Sequence, residues 1–165
     1  MLIVRLAKVA MTAALAAFAF IVTYDNIVDY GTNYEFVKHV LSMDTTFPGN
    51  KLTGRAITDP RLWTLGYVGI IAAEGVVFLL LAVATFSMLM ALRAPAASFQ
   101  RAKTWMVAGA TMGFMVWFFG FMVVGGEYFA MWQSKTWNGQ EAAFRFYMTL
   151  LAVLIFVNQR DEDLA

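Results

Sequence analysis

Apolar residues gather into four long runs, and polar segments separate these runs. The runs lie at about 6–24, 65–92, 104–124 and 142–158. A helix needs roughly 20 mostly apolar residues to cross a bilayer, a length that each run approaches or exceeds. We therefore predict an all-α fold, a membrane four-helix up-down bundle that forms one integral membrane domain over residues 1–165. Its outer loops would span about 25–59 and 125–138.

Several helix boundaries carry their own signals. Asp59 is a good N-cap and Pro60 suits the first helical position, so the second helix is expected to begin at Pro60. Asn138 and Glu141 make a capping-box pattern at the start of the fourth helix. The third helix is expected to end before Gly125.

The first outer loop contains a helical pattern of its own. Thr32 and Glu35 form a second capping-box pattern, and apolar residues follow at helical spacing. This arrangement predicts a short amphipathic helix that lies on the outer membrane surface or over the bundle.

Composition and charge narrow the class further. With 61% hydrophobic and 14% charged residues and a mean hydropathy of +0.65, the chain lies in the range of membrane proteins. The net charge of +1 comes from scattered acids and bases, so no nucleic-acid partner is indicated. Because the chain has no cysteine and one histidine, His39, disulfides, thiolate sites and a bis-histidine haem within one chain are excluded.

Basic residues near the helix ends predict the orientation. Arg93, Arg101 and Lys103 lie in or beside the short connection between the second and third helices, which contains no acid. Short basic loops favour the cytoplasmic side of a membrane. Both termini are therefore predicted to be cytoplasmic.

The first apolar run has a second interpretation. Arg5 and Lys8 precede an alanine-rich stretch, which fits a signal peptide loosely. The apolar stretch continues past a possible cleavage point near Ala19, so we interpret it as a transmembrane helix.

Glu74 is the only charged residue between positions 62 and 92, inside the second apolar run. A carboxylate in a membrane segment is costly and usually has a partner or a function. Arg145 could reach inward to Glu74, sideways to Glu127 or one turn back to Glu141. We predict an intramembrane polar cluster of Glu74, Arg145, Glu127 and Asp25 in the outer half of the bundle.

This cluster has three interpretations. Glu74 and Arg145 can form a buried pair that fixes the helix register. Glu74 can instead serve a proton, ion or small-molecule relay, or it can contact another subunit. A pair that fixes the register is the interpretation we favour.

Small residues indicate where helices approach closely. Ala13 and Ala17 are four apart on the first helix, as are Gly109 and Gly113 on the third. We interpret these stripes as packing inside one bundle, with a homodimer seam as the alternative.

Other chemistry has little support in the sequence. The 11 methionines, without cysteine or a second histidine, indicate flexible packing rather than a metal site. The chain contains no catalytic motif, so we assign no catalytic residue and no cofactor. A bound lipid is compatible with this reading, and haem and a quinone stay as open alternatives.

The outer connections are rich in aromatic residues, which are typical of membrane interfaces. We expect them to form a compact outer cap that contacts partners. The residues of this predicted cap are Tyr34, Phe36, His39, Phe47, Trp132 and Trp137.

Two loop stretches resemble a known family. They are NYEFVKHVLSMDTTFPGN at 33–50 and GGEYFAMWQS at 125–134, followed by WNGQ at 137–140. In these stretches the chain resembles a bacterial family of predicted small integral membrane proteins, domain of unknown function 2165. The resemblance implies a four-helix protein of the bacterial inner membrane, and it implies no reaction.

Two functions remain open. The first is a non-catalytic accessory or structural subunit of a larger membrane complex, docking through a periplasmic cap. The alternative is a small oligomeric transporter, or a proton or ion relay, that uses Glu74. The expected partners are membrane lipids and either other membrane protein subunits or further copies of this chain.

Overall fold

The computed structural model describes residues 1–163, and within this range it contains helices and no strand. The predicted all-α fold is confirmed. The α-helices are α1 Leu2–Val28, α2 Tyr30–Ser42, α3 Pro60–Met90, α4 Ala96–Ala102, α5 Thr104–Phe114 and α6 Gln140–Asn158. A π-helix continues α5 over Met115–Tyr128, and short 3-10 turns lie at Thr53–Arg55 and Met131–Gln133.

Four helical stretches of the described chain are long and apolar enough to cross a membrane. They are Leu2–Val28, Pro60–Met90, Ala96–Tyr128 and Gln140–Asn158. With 31 residues, α3 is about 46 Å long, which exceeds the roughly 30 Å hydrocarbon core of a bilayer. This helix must therefore tilt or project from the membrane.

The predicted start of α3 is confirmed. Pro60 is its first residue, and the Asp59 carboxylate accepts a hydrogen bond of 2.9 Å from the backbone N–H of Arg61. This bond satisfies one of the free N–H groups at the helix start, which is the physical reason for the Asp-Pro pattern.

The two predicted capping boxes are wrong. Thr32 lies inside α2, because α1 continues to Val28 and α2 begins only two residues later at Tyr30. At α6, the Asn138 side chain does accept a bond of 3.1 Å from the N–H of Gln140, but the Glu141 side chain turns to Arg145 instead of back to the cap.

The third apolar helix continues beyond its predicted end. The π-helix passes through Gly125 and Gly126 and stops before Ala130, which has a left-handed backbone with φ of +52°. Both glycines are buried, and without side chains they leave room for Met131 and Gln140 to approach. Here glycine serves close packing rather than termination of the helix.

The spanning helices form a ring, in which the main contacts join α1 to α3, α3 to α5, α5 to α6 and α6 back to α1. Arg5 at the start of α1 reaches the carbonyl oxygens of Leu92 and Ala94 after α3, whereas Asn26 near the end of α1 reaches Glu74. These contacts make α1 and α3 run in opposite directions, as an up-down order requires.

Close packing inside the ring depends on glycine in α5. A Cβ atom on Gly109 would lie 2.8 Å from a methyl carbon of Leu81, and one on Gly113 would lie 2.7 Å from a methyl carbon of Leu150. Both distances are too short for a side chain. In α1, Ala16 and Ala19 are buried, while Ala17 is exposed and Ala13 is half-buried.

The two loop regions at one end of the ring join into a single layer, here called the cap (residues 29–59 and 128–139). The hydroxyl of Thr45 donates to the Ser134 hydroxyl at 2.9 Å, and the N–H of Phe47 donates to the Gln133 side chain at 3.0 Å. We call this the cap end of the bundle, and the opposite end, where α1 begins and α6 ends, the tail end.

Candidate functional site

Glu74 lies halfway along α3, beside the cap-side ends of α1 and α6, and its side chain faces the middle of the ring. The residue is only 3% exposed. One carboxyl oxygen, Oε2, accepts a hydrogen bond of 2.7 Å from the side-chain amide of Asn26, which is itself buried near the end of α1. The partner of Glu74 is thus a neutral amide from α1.

Asn26 also connects three helices. Its side-chain oxygen accepts hydrogen bonds from Asn33 in α2 at 2.6 Å and from the Tyr67 hydroxyl in α3 at 3.2 Å. The Tyr67 hydroxyl lies 3.0 Å from the backbone oxygen of Asn26 as well. We call Asn26, Asn33, Tyr67 and Glu74 the Glu74 network.

A cavity of about 330 Å³ lies beside this network, and residues from all four spans and α2 form its walls. Asp25 lies at its edge and is exposed. Among the described residues that line the cavity, none is a lysine, arginine or histidine. Five aromatic side chains also line it: Phe36, Tyr67, Trp117, Phe121 and Phe146.

The predicted polar cluster forms only in part. Arg145 donates a hydrogen bond of 2.5 Å to Glu141 one turn earlier in α6, and its side chain is 71% exposed. Glu127 is exposed as well. The predicted pair between Glu74 and Arg145 is therefore not formed, and only Asp25 and Glu74 share a site.

The rotation of α6 explains this difference. Ala143, Tyr147 and Leu150 point into the bundle, which places Arg145 on the outward face. An arginine that follows a glutamate by four residues on an exposed helix face has a local partner at no cost in burial.

The six residues that the sequence analysis assigned to an outer cap all lie within the cap as defined above. The His39 ring stacks on Trp137 with 4.7 Å between the ring centres, and a ring nitrogen of His39 lies 2.8 Å from the Asp44 carboxylate. Phe36 packs between Phe121 below and Trp137 above. These contacts fix α2 against the second loop.

The remaining predicted cap residues differ in exposure. Tyr34 packs near Tyr67, with 6.4 Å between the ring centres. Phe47 and Trp132 form an edge-to-face pair at 5.8 Å, and their exposed fractions are 50% and 49%. This pair is presented to the outside of the cap.

A second buried polar cluster, which the sequence analysis missed, lies at the tail end. Lys8 and Lys103 are almost completely buried, and both hydrogen-bond to the carboxylate of Asp161 and to the backbone oxygen of Gln159. The Asp161 side chain is 4% exposed and lies 2.9 Å from the Lys8 ammonium. We call Arg5, Lys8, Lys103 and Asp161 the tail cluster.

Arg5 completes the tail cluster through backbone oxygens. Its guanidinium donates to Leu92 at 3.1 Å, to Ala94 at 2.7 Å and to Glu162 at 2.8 Å. It also lies over the ring of Phe99, 4.9 Å from the ring centre. The segment that follows α6 is thereby held across the ends of the other helices.

The charges around Asp161 decide its ionisation. Burial raises the pKa of this carboxyl, but hydrogen bonds from Lys103 and Lys8 and the charges of both ammonium groups outweigh burial and hold the pKa below its usual range. Asp161 is thus ionised at neutral pH. The acidic run that follows Arg160 was the available signal for this cluster.

The apolar ring of helices with buried polar groups near both ends defines a small, multi-pass integral membrane protein. The family model described as predicted small integral membrane protein (DUF2165) matches residues 4–160. The chain belongs to this family. No curated protein and no solved structure matches the chain.

Proposed function

We propose that this protein is a non-catalytic accessory or structural subunit of a larger membrane assembly and that it docks through its cap. The observation that carries the proposal is the half-exposed pair of Phe47 and Trp132, held on loops that hydrogen-bond to each other. Aromatic side chains on a preorganised surface are favourable interface anchors, because they bury a large area at a small entropic cost.

Arg55 adds to this surface. Its guanidinium lies 4.9 Å from the ring centre of Tyr128 and donates to the Tyr128 carbonyl at 3.1 Å. Tyrosine, tryptophan and arginine are the residues most enriched at binding hot spots. In this proposal the cap faces the periplasm of a bacterial inner membrane, since the exposed bases Arg93 and Arg101 lie near the tail end.

The second candidate is an oligomeric transporter or relay that uses Glu74, and the cavity beside this carboxyl favours it. A relay needs polar or ionisable steps through the membrane. The buried positions that follow Glu74 along α3 are all apolar: Val77, Leu81, Ala84 and Met88. This apolar stretch is why docking is the preferred function.

Two tryptophans of nearly equal exposure provide a matched test of docking. Trp132 in the cap is 49% exposed, and Trp105 near the tail end is 47% exposed. The full chain and its Trp132→Ala and Trp105→Ala variants would be crosslinked in native membranes and purified in mild detergent, and the attached proteins would be identified by mass spectrometry. We expect Trp132→Ala to lose a crosslinked membrane subunit that Trp105→Ala retains.

Two results would contradict the docking function. One is that the unaltered protein runs alone as a small homo-oligomer. The other is that the same subunit stays attached at the same yield to both tryptophan variants. The first result, combined with transport that Glu74→Gln abolishes, would favour the second candidate.

A further inference from the structure

We propose that the cavity beside Glu74 binds an organic ammonium group carried on an apolar stem. This site is separate from the exposed face of the cap. The inference therefore does not depend on whether the protein docks to other subunits. The inference rests on the position of the carboxyl oxygens, the charges around the cavity and the composition of its walls.

One of the two carboxyl oxygens of Glu74 receives no hydrogen bond from the described part of the chain. Oε2 accepts the hydrogen bond from Asn26, whereas Oε1 has no hydrogen-bond donor among residues 1–163. Glu74 is 3% exposed and borders the cavity. A buried carboxyl with a free oxygen beside an open space is the kind of group that a ligand's N–H donor can satisfy.

The charge of the cavity favours a cation. Asp25 and Glu74 both border it, and no basic side chain is among the described residues of its walls. Burying an ionised carboxylate without a counter-charge is strongly unfavourable. A cationic ligand removes this cost, and an anionic ligand would increase it.

The walls favour an organic cation over a metal ion. Five aromatic rings line the cavity, and the negative faces of such rings attract ammonium groups. Hard divalent cations instead require six or more oxygen ligands in most protein sites. Asp25 and Glu74 are the two acidic residues in this lining, and among the described residues no group of three or more histidine, cysteine, aspartate or glutamate side chains could hold a metal ion.

The surroundings also provide room for an apolar stem. A neighbouring cavity of about 420 Å³ is lined almost entirely by apolar side chains. Phe36, Val37, Ile70 and Phe121 border both spaces. The same ammonium chemistry belongs to a lipid with an ethanolamine headgroup and to a free alkylamine, so both sources enter the test.

The first measurement compares two probes on the unaltered protein in a neutral detergent. Hexylammonium and hexanol have the same apolar stem, and only hexylammonium carries a positive charge with N–H donors. We expect calorimetry or tryptophan fluorescence to show at least about tenfold tighter binding of hexylammonium, since a hydrogen bond to a charged group is worth that much or more. Equal affinity for the two probes, or binding of neither, would overturn the proposal.

The second measurement uses a matched pair of substitutions. Glu74→Gln keeps the shape of the side chain and removes its charge, and Glu127→Gln makes the same change at an exposed position. Hexylammonium binding should weaken about tenfold or more in Glu74→Gln and stay unchanged in Glu127→Gln. Unchanged binding in a folded Glu74→Gln protein would refute the site. If that variant does not fold, the comparison of hexylammonium with hexanol on the unaltered protein still tests the proposal.

A third measurement identifies the source of the ammonium group. Native mass spectrometry would follow binding of phosphatidylethanolamine and of phosphatidylglycerol, whose headgroup has no amine. Retention of phosphatidylethanolamine that hexylammonium displaces supports a lipid ligand. Hexylammonium binding that neither lipid reduces supports a free amine. Displacement of hexylammonium by phosphatidylglycerol as strong as by phosphatidylethanolamine would contradict an ammonium site.

Discussion

The two ends of the bundle treat a buried carboxyl group in opposite ways. At the tail end, the Asp161 side chain is 4% exposed and contacts the ammonium groups of Lys8 and Lys103. At the cap end, Glu74 is 3% exposed and receives one hydrogen bond from the neutral amide of Asn26. Two lysines thus neutralise Asp161, whereas Glu74 has no basic partner within residues 1–163 and borders a cavity.

The position of each carboxyl along the membrane explains the difference. Lys8 and Lys103 lie near helix ends, where their buried ammonium groups meet the segment that follows α6. The segment after α6 brings Asp161 to them from outside the spans. Glu74 belongs to α3 itself, and the buried apolar positions that follow it continue for about four turns to Met88.

The largest expected effect comes from removing the tail carboxylate. Asp161→Asn would leave two buried ammonium groups without their counter-charge, and losing one partner of a buried ion pair costs about 3 kcal/mol or more. We expect the free energy of unfolding to fall by about that amount when the protein is titrated with a denaturing detergent in mixed micelles.

The neighbouring Glu162 provides the control for this substitution. Glu162 contributes its backbone oxygen to Arg5, and Glu162→Gln retains that oxygen. This variant should unfold like the unaltered protein. If Asp161→Asn were equally neutral, the tail cluster would not stabilise the fold and the contrast between the two ends would disappear.

Acidification should remove the same stabilisation in part. The pKa of Asp161 is lower in the folded protein than its ordinary value, because the hydrogen bonds and charges of Lys103 and Lys8 outweigh burial. A lowered pKa stabilises the fold above the usual aspartate range, and this contribution is lost as the pH falls below about 4. The difference in stability between the unaltered protein and Asp161→Asn should therefore stay constant near neutral pH and shrink in acid.

Titration over the acidic range would check the sign. A stability difference that grows as the pH falls would mean that Asp161 binds its proton more readily in the folded state, and this would contradict the prediction. Asp161→Asn is its own control, since asparagine does not titrate.

A smaller effect is expected at the cap end. Asn26→Ala removes the donor to Glu74 and the acceptor for Asn33 and Tyr67, and unsatisfied buried polar groups cost about 1–3 kcal/mol. Asn158→Ala, at an exposed position in α6, is the matched control. Equal unfolding midpoints for the two variants would show that the Glu74 network does not join α1, α2 and α3.

The sequence predicted much of the fold, and it also identified Glu74 as the unusual residue near the cap. The apolar runs predicted the helices, and Asp59 with Pro60 marked the start of α3, because these features act locally. Glu74 stood out because a charge in an apolar run is visible without a structure. Its partner was not visible, because Asn26 is uncharged and lies beyond the predicted end of the first helix.

The tail cluster was less accessible for a different reason. Lys103 was interpreted as an orientation signal and Lys8 as part of a signal-peptide pattern. Both bases are instead buried under the segment that follows α6. A count of charges near helix ends does not reveal whether a later segment folds back over them. The rotation of α6, which turns Arg145 outward, likewise depends on packing among all four spans.

The smallest effect is expected from substitution of Arg145. This substitution also tests whether Glu74 pairs with Arg145, as the sequence predicted, or only with Asn26, as the structure shows. Arg145 and Glu141 are 71% and 81% exposed, and an exposed pair of this spacing contributes about 0.5 kcal/mol or less. Arg145→Gln should therefore leave the unfolding midpoint almost unchanged, and a double-mutant cycle between Glu74→Gln and Arg145→Gln should give no coupling. The matching cycle between Glu141→Gln and Arg145→Gln would measure the local pair. A large coupling with Glu74 would instead mean that Arg145 interacts with this carboxyl. Both ends of the bundle would then pair a buried carboxyl with a base, and the cavity would lack an unpaired carboxyl.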